Sequence, residues 1–285
     1  MYPEIEHFKD WLTCQYPTSS TSVHYTSDLV LFFSFAGRLP AEITAQDING
    51  FIAHSLQKGH AATTINRRLT ALNTFYYFLE MIEDQPLPSP VQPRHFLPIA
   101  SPLPRDISEA NVELLFAAID HPREKAMILI MLDCGLRVGE IHNLSLDDVF
   151  TDSPPRLNVR GKGDMPRTVP LSPLAQDALQ EWLNCRPVIT DRAVFISHLK
   201  KRLSVSGIQS ILREICSKTG LNITCHQFRH TFGRRIAETG MSVTTLQKLL
   251  GHASLRTTQV YVHLSNPHLR TEYDQIMRSI LELLA

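Results

Sequence analysis

The chain has 285 residues, and its 28 basic and 28 acidic side chains give a formal net charge of zero when the histidines are neutral. The longest apolar run, residues 126–132, is far shorter than the ~20 residues of a membrane-spanning helix, and the acidic N-terminal segment does not resemble a signal peptide. We therefore expect a cytoplasmic chain without a membrane partner. The overall charge does not favour a nucleic-acid partner, which depends instead on local clusters of cations.

The cysteines and histidines predict neither a disulfide framework nor a metal site. The five cysteines are odd in number, and no two of them form a C-x-x-C pair. The 13 histidines include no H-E-x-x-H motif and no Cys/His spacing typical of zinc sites. We expect reduced thiols and no bound metal.

The first 84 residues predict a domain of four helices. Apolar side chains recur at intervals of three and four in four segments that are separated by turn signals. The fourth segment, near residues 64–81, also carries the basic pair Arg67 and Arg68. Since no strand pattern occurs here, we expect residues 1–84 to be entirely helical.

Prolines then separate this domain from the rest of the chain. Seven of them fall within residues 85–106, at positions 86, 88, 90, 93, 98, 102 and 104. So many prolines cannot continue a helix or a central strand, so the segment is predicted to be an extended, semi-rigid linker.

Residues 107–285 mix helical patterns with a few strand-like runs, which predicts a mainly α domain with a small β-sheet. Ser108 is placed to cap the first helix. Further helices are predicted over 125–134, 205–218, 226–239, 243–251, 255–262 and 269–284. Strands are predicted over 157–159, 168–171 and 194–196. The first two strands flank Gly161-Lys162-Gly163, as in a β-hairpin with a glycine-bearing turn.

Four short patterns in this domain contain the residue types of phosphoryl-transfer chemistry. They are Gly135-Leu136-Arg137-Val138-Gly139-Glu140, Gly161-Lys162-Gly163, His226-Gln227-Phe228-Arg229-His230, and Leu249-Leu250-Gly251-His252 followed nine positions later by Tyr261. His226 and Arg229 are three residues apart, so on a helix they project from one face. An arginine fork binds phosphate oxygens in pairs at any useful pH, and Arg137 adds a second permanent cation.

Together these groups are sufficient for phosphoryl transfer without a metal. Two arginines suit a transition state that carries extra negative charge. Lys162 offers a mobile proton, His252 a further hydrogen-bond donor and Tyr261 a nucleophilic oxygen. Because the pKa of a phenol is ~10, the tyrosine needs a nearby base or a strongly cationic site.

Each of these residues taken alone has an ordinary structural interpretation. Arg137 could form an ion pair at the start of a helix, and Lys162 could be a solvated lysine in a turn. His226 and His252 could be structural histidines, and Tyr261 a packing residue. Their joint occurrence favours the chemical interpretation, while His230 and His263 keep the structural one. Arg67, Arg68 and the cluster Lys200-Lys201-Arg202 are candidate contacts to a DNA backbone, with a solvated basic surface as the alternative.

The patterns G-L-R-x-G-E, H-x-x-R-H-T-F and L-L-G-H-x-S-x-x-T-T-x-x-Y-x-H, in this order, resemble the tyrosine recombinases of the phage integrase family. The resemblance is to compact Xer-type and mobile-element enzymes, and it covers essentially the whole chain. It implies a helical SAM-like core-binding domain over 1–84 and a catalytic domain with a C-terminal tail helix over 107–285.

The resemblance also implies a role for each matching residue. Arg137 and Arg229 match the arginines that hold the scissile phosphate, Lys162 the general acid, His226 the acceptor of the tyrosine proton, His252 a contact to a non-bridging oxygen, Tyr261 the nucleophile, and Glu140 an acid beside the first arginine. The implied reaction passes through a 3′-phosphotyrosyl link, and it needs neither ATP nor a divalent metal nor any other cofactor.

The implied partner is double-stranded DNA with inverted-repeat core sites, on which four protomers assemble, with an accessory protein or second recombinase as a further possible partner. The apolar stripe of Ile276, Ile280 and Leu284 fits a tail that docks on a neighbouring protomer, and packing on its own domain is the alternative. Three rival functions stay open at this point: a non-catalytic DNA-binding regulator, a type IB topoisomerase-like enzyme, and a histidine-metal hydrolase.

Overall fold

The computed structural model of the chain describes residues 3–17, 21–99, 106–161 and 166–251, and two compact units divide between Ser101 and Pro102. This division falls inside the segment predicted to be a linker. None of the helices in these ranges is both long and apolar enough to cross a membrane.

The first unit contains the four predicted helices. They are α1 (Pro3–Gln15), α2 (Thr21–Ala36), α3 (Ala45–Gln57) and α4 (Ala62–Met81). The start of α3 is fixed by Thr44, whose main-chain N–H donates to the Asp47 carboxylate at 2.8 Å. Aromatic rings fill the core, where Phe8 meets Phe75 edge to face with ring centroids 5.4 Å apart.

The beginning of the proline-rich segment lies against these four helices. Val91 and His95 are buried, and Leu87 and Leu97 pack on the same core. The Asn66 amide on α4 donates to the Leu97 carbonyl and accepts from the Leu97 N–H, both at 2.8 Å. Proline content alone predicts an extended connector, but residues 87–97 are held to the first unit because a side-chain amide pairs with their main chain.

The second unit begins with helices that carry clear capping residues. They are α5 (Glu109–Ala117), α6 (Pro122–Asp133) and α7 (Val138–Asn143). Ser108 caps α5 as predicted, by accepting a hydrogen bond from the Asn111 N–H at 3.3 Å. The apolar helix α6 starts three residues before the predicted Lys125, because His121 accepts from the Arg123 N–H and Pro122 suits the first helical position.

A three-stranded antiparallel sheet follows, with strand order β1-β2-β3. Its strands are β1 (Val149–Phe150), β2 (Arg156–Arg160) and β3 (Pro166–Pro170). The register pairs Leu157 with Val169 and Val159 with Arg167, so the predicted hairpin is confirmed. The two-residue β1 was not predicted.

The strand predicted over 194–196 is wrong. This segment is buried, but it takes part in one isolated bridge, between Ile196 and Arg202. Its main chain is divided among several partners: the Val194 N–H donates to the Leu144 carbonyl, and the Val194 carbonyl accepts from the Trp182 indole. A short apolar run therefore indicated burial correctly, but no continuous partner strand is present.

The remaining described helices are α8 (Pro173–Cys185), α9 (Val205–Thr219), α10 (Cys225–Glu238) and α11 (Val243–Leu250). The last three agree with the prediction to within a residue at each end. The predicted helices over 255–262 and 269–284 lie outside the described residues. The mainly α fold with a small sheet is confirmed, and it brings the ends of α6, β3 and α11 together around α7 and α10.

Candidate active site

A tight turn after α6 sets the position of Arg137. Gly135 has a φ of +65°, and a Cβ atom at this position would lie 2.4 Å from Cδ1 of Phe232 on α10. Only glycine combines this left-handed backbone with so close a neighbour. The chain then passes through the fully buried Leu136 and enters α7, with Arg137 at the position that precedes its first residue.

The Glu140 carboxylate is the centre of the site. It accepts from the Arg137 main-chain N–H at 2.7 Å and from Arg137 Nη1 at 2.9 Å. Arg167 on β3 donates to the same carboxylate through both terminal nitrogens, at 2.8 and 2.9 Å. Arg229 Nη1 lies 3.9 Å from Glu140 Oε2. One buried carboxylate therefore faces three guanidinium groups, and the cluster keeps an excess of positive charge.

The charge state of Glu140 follows from these contacts. Burial by itself raises the pKa of this carboxyl, but the hydrogen bonds and charge of Arg167, together with the N–H and charge of Arg137, outweigh it and hold the pKa below its usual value. Glu140 is thus ionised at neutral pH and can orient the arginines.

The three arginines also share the C-terminal end of α11. Arg167 Nε donates to the Leu249 carbonyl at 2.9 Å, Arg229 Nη2 donates to the Leu250 carbonyl, and Arg137 Nη2 donates to the Gly251 carbonyl at 3.3 Å. The last carbonyls of a helix lack partners within the helix and carry partial negative charge. Cations are therefore well placed at this end.

The two predicted phosphate-binding arginines differ in accessibility. The Arg137 side chain is 32% exposed, whereas that of Arg229 is 2% exposed. Arg229 Nη1 donates to the Gly135 carbonyl at 2.6 Å, which ties α10 to the turn before Arg137. Arg137 thus presents the more accessible guanidinium, and Arg229 lies behind it.

His226 and His230 on α10 lie beside the arginines. Their rings meet edge to face, with centroids 4.3 Å apart. Partial shielding from water, followed by the charges of Arg229 and Arg137, lowers the pKa of His226. Desolvation, followed by His226 and Arg229, lowers the pKa of His230 to about 4. His226 is therefore neutral at neutral pH, the state in which an imidazole can accept a proton.

Three predicted catalytic residues, Lys162, His252 and Tyr261, lie outside the described residues. Two described residues adjoin two of them in the chain. Gly161 directly follows β2, and Gly251, whose carbonyl accepts from Arg137, directly precedes His252.

The predicted DNA contacts in the first unit share one acid. Arg67 forms an ion pair with the buried Asp28, and Arg68 Nε lies 3.8 Å from the same carboxylate. The Arg67 side chain is 42% exposed and that of Arg68 only 12% exposed. Arg67 is therefore the member of the pair that remains accessible to a ligand.

The cluster Lys200-Lys201-Arg202 lies on a tight turn. The Ser197 N–H donates to the Lys201 carbonyl at 2.8 Å, and both lysines are exposed. Arg202 instead donates to the His142 carbonyl at 2.9 Å and to the Ser145 hydroxyl at 3.1 Å. These contacts favour a structural role for Arg202 over the predicted DNA contact, because its guanidinium binds the last turn of α7 and the residue Ser145 beyond it.

The role of Arg167 was not predicted from the sequence. An arginine in a short β-rich run is usually solvated, and no motif drew attention to it. The signal that could have identified it is its position in the register of the β2–β3 hairpin. Arg167 lies two residues from the buried Val169 and opposite the buried Val159, so it belongs to the inner face of the hairpin and is only 10% exposed. A buried arginine requires an acidic partner, which here is Glu140.

Comparisons with known proteins identify the family of this chain. Residues 105–268 match the phage integrase family, and residues 5–81 match the phage integrase N-terminal SAM-like domain. Tyrosine recombinase XerA of Pyrococcus horikoshii is 30% identical over 272 residues, which cover 93% of this chain and 90% of that protein.

Two solved structures share the fold. The XerH site-specific recombinase bound to a palindromic difH substrate has a TM-score of 0.73 at 20% identity, covering 88% of this chain and 78% of that one. The Tn1549 transposon integrase in complex with transposon right end DNA has a TM-score of 0.75 at 19% identity, covering 96% of this chain and 99% of that one. The resemblance deduced from the sequence motifs is confirmed: this chain belongs to the phage integrase family, the tyrosine recombinases.

Proposed function

We propose that this chain is a site-specific DNA recombinase that cleaves and rejoins strands through a covalent bond to Tyr261. The observation that carries the proposal is the cluster of Arg137 and Arg229 on Glu140, beside a neutral His226 and at the helix end that leads into His252. Such a cluster offers fixed donors to a phosphate whose negative charge grows in the transition state.

In the first step the Tyr261 oxygen attacks a DNA phosphodiester. A bond from phosphorus to the tyrosine oxygen forms and the bond to the 5′ oxygen breaks, which leaves a 3′-phosphotyrosyl link. His226 accepts the phenol proton, and Lys162 donates a proton to the departing 5′ oxygen. The 5′-OH of a partner strand then attacks the phosphotyrosine and releases Tyr261. The phosphotyrosyl link conserves the energy of the phosphodiester bond, so the reaction consumes no ATP and uses no cofactor.

The arginines and His252 would act on the non-bridging oxygens. Arg137 is accessible enough to contact the phosphate directly with its outer edge. Arg229 donates its terminal nitrogens to two carbonyls, so its direct contact with the phosphate would follow a shift of the α11 end. Both arginines stay charged at any pH at which DNA is intact.

The substrate we propose is double-stranded DNA with inverted-repeat core sites. Support comes from the neighbours in fold, of which XerH is bound to a palindromic substrate and the Tn1549 integrase to transposon end DNA. Lys200, Lys201 and Arg67 are accessible cations suited to phosphate contacts, which position a protein on DNA without reading its sequence.

Recombination joins two sites, so we propose that four protomers assemble on DNA in the cytoplasm, with or without an accessory protein or a second recombinase. Residues 268–285 would dock on a neighbouring protomer and make cleavage depend on assembly. Removing these residues tests this part: the truncated chain should bind one site but fail to recombine, whereas undiminished recombination would rule out docking.

The test of the chemistry is covalent capture in the presence of EDTA. The site is first recovered from genomic fragments that the full chain retains, and it is then made as a nicked duplex from which the cleaved 5′ end diffuses away. We expect a protein–DNA band on a denaturing gel that is lost in Tyr261→Phe and kept in the matched variant Tyr273→Phe. A retained duplex that gives no band with the wild-type chain would point to a DNA-binding regulator. Relaxation of supercoiled DNA without strand exchange between two sites would point to a topoisomerase.

A further inference from the structure

We propose that Arg167 is a positioning residue for strand cleavage: it fixes Arg137 through Glu140 and fixes the end of α11 through the Leu249 carbonyl. This inference deepens the proposed function and rests on it. It assigns a role in the reaction to a residue outside the six predicted catalytic positions.

The Arg167 side chain is held at both edges of its guanidinium group. Both terminal nitrogens meet the two Glu140 oxygens, at 2.8 and 2.9 Å, while Nε donates to the Leu249 carbonyl at 2.9 Å. The side chain is only 10% exposed. A planar guanidinium used on both edges has one permitted orientation, which lysine could not reproduce because its ammonium is a single point of charge.

Glu140 links Arg167 to Arg137 through both of its oxygens. The oxygen that receives Arg167 Nη1 also receives Arg137 Nη1 at 2.9 Å, and the oxygen that receives Arg167 Nη2 also receives the Arg137 main-chain N–H at 2.7 Å. Arg137 therefore depends on a carboxylate whose orientation is set from the opposite side by Arg167. Without Arg167 the carboxylate could rotate, and Arg137 would lose a fixed direction.

Arg167 also packs against the end of α11. Gly251 has a φ of +63°, and a Cβ atom there would lie 3.0 Å from Cδ and Nη1 of Arg167. The arginine thus packs directly on the residue that precedes His252. Arg167 also lies in β3, which begins directly after residues 162–165, and Lys162 is one of these. Arg167 thus contacts Glu140, which holds Arg137, and it contacts Gly251, which precedes His252. Its own strand follows the segment that contains Lys162.

The experiment compares Arg167→Lys and Arg167→Gln with the matched variant Arg156→Lys, which changes an arginine at the far end of the same hairpin. Arg156 stacks on Phe150 and donates to the Pro154 carbonyl at 3.2 Å. Covalent complex formation on the nicked duplex is followed in a single turnover, alongside the DNA dissociation constant and thermal unfolding. We expect cleavage to slow about 100-fold in Arg167→Lys, the scale of an ~1 Å misplacement of a catalytic group. The DNA affinity of Arg167→Lys should equal that of the wild-type chain, and the cleavage rate of Arg156→Lys should also be unchanged.

A second substrate separates positioning from mere stabilisation of the fold. A methylphosphonate at the scissile position carries no negative charge on its non-bridging oxygen, so a group that orients an arginine toward that charge becomes less important. We expect the defect of Arg167→Lys to shrink on this substrate, in parallel with that of Arg137→Ala.

Two results would overturn the inference: wild-type cleavage by Arg167→Lys, or a defect that is equal on both substrates and follows the loss of folded protein. If Arg167→Gln fails to fold, Arg167→Lys carries the test. Absence of a covalent complex with the wild-type chain would instead contradict the proposed function.

Discussion

The backbone of Gly135 lies so close to the Phe232 ring that a single added carbon would sit 2.4 Å from Cδ1. This contact joins the turn before Arg137 to the helix that carries Arg229. It therefore helps to set the spacing of the two arginines through packing, alongside the hydrogen bond from Arg229 to the Gly135 carbonyl.

Replacing Gly135 by alanine should destabilise the fold. The left-handed backbone costs ~1–2 kcal/mol for a residue with a Cβ, and overpacking against Phe232 adds ~1–3 kcal/mol. Urea unfolding measures the loss. Gly220→Ala is the control, because Gly220 has a φ of +69° but no atom within 4 Å of an added Cβ, so it should show the backbone cost alone. Equal losses in the two variants would contradict the role of the Phe232 contact.

Glu140→Gln should make the free energy of unfolding less dependent on pH in the acidic range. The folded-state pKa of Glu140 is lowered from 4.5, so its ion pairs stabilise the fold above pH 4.5 and this contribution is lost as pH falls through the folded-state pKa. At pH 7 the variant leaves buried arginines without their acid, at a cost of ~3–5 kcal/mol. Unfolding free energies of the two proteins should converge as the pH drops below 4.5. A constant difference at all pH values would show that Glu140 is not the group that titrates.

The two histidines of α10 should titrate at unusually low pH. In an NMR titration of the free protein, His230 should have a midpoint near 4 and His226 a midpoint below 6.5. Because the charge of Arg137 contributes to the lowered pKa of His226, Arg137→Ala should raise that midpoint. Arg156→Ala should leave both midpoints unchanged, and an unchanged His226 midpoint in Arg137→Ala would refute the electrostatic account.

Asn66→Ala should release the start of the proline-rich segment from the first unit. The substitution removes two hydrogen bonds to Leu97 and leaves main-chain groups without partners, at ~1–3 kcal/mol each if they stay buried. Hydrogen exchange at the Leu97 amide should accelerate. Asn73→Ala changes an exposed asparagine on the same helix and should leave that exchange rate as it is. Unchanged protection in Asn66→Ala would mean that the apolar contacts alone hold the segment.

Residues that lie close together in the chain could be placed from the sequence. The position of His226 and Arg229 on one helix follows from their spacing, and the place of Glu140 beside Arg137 follows from the resemblance to the phage integrase family. Partners that come from distant segments could not be predicted. Arg167 meets Glu140 only because the β2–β3 register turns it inward, and Arg202 is occupied by carbonyls near the end of α7. The error at 194–196 has the same cause, because a strand requires a neighbouring strand that a single apolar run cannot reveal.

The sharing of the α11 end among three arginines limits how the length of this chain can vary. Leu249, Leu250 and Gly251 present consecutive carbonyls, and each accepts from a different arginine. Inserting or deleting one residue in α11 would move every carbonyl to the wrong arginine at once. Insertions and deletions should therefore be tolerated in turns such as that between α10 and α11. Between Leu246 and Gly251 they should abolish activity.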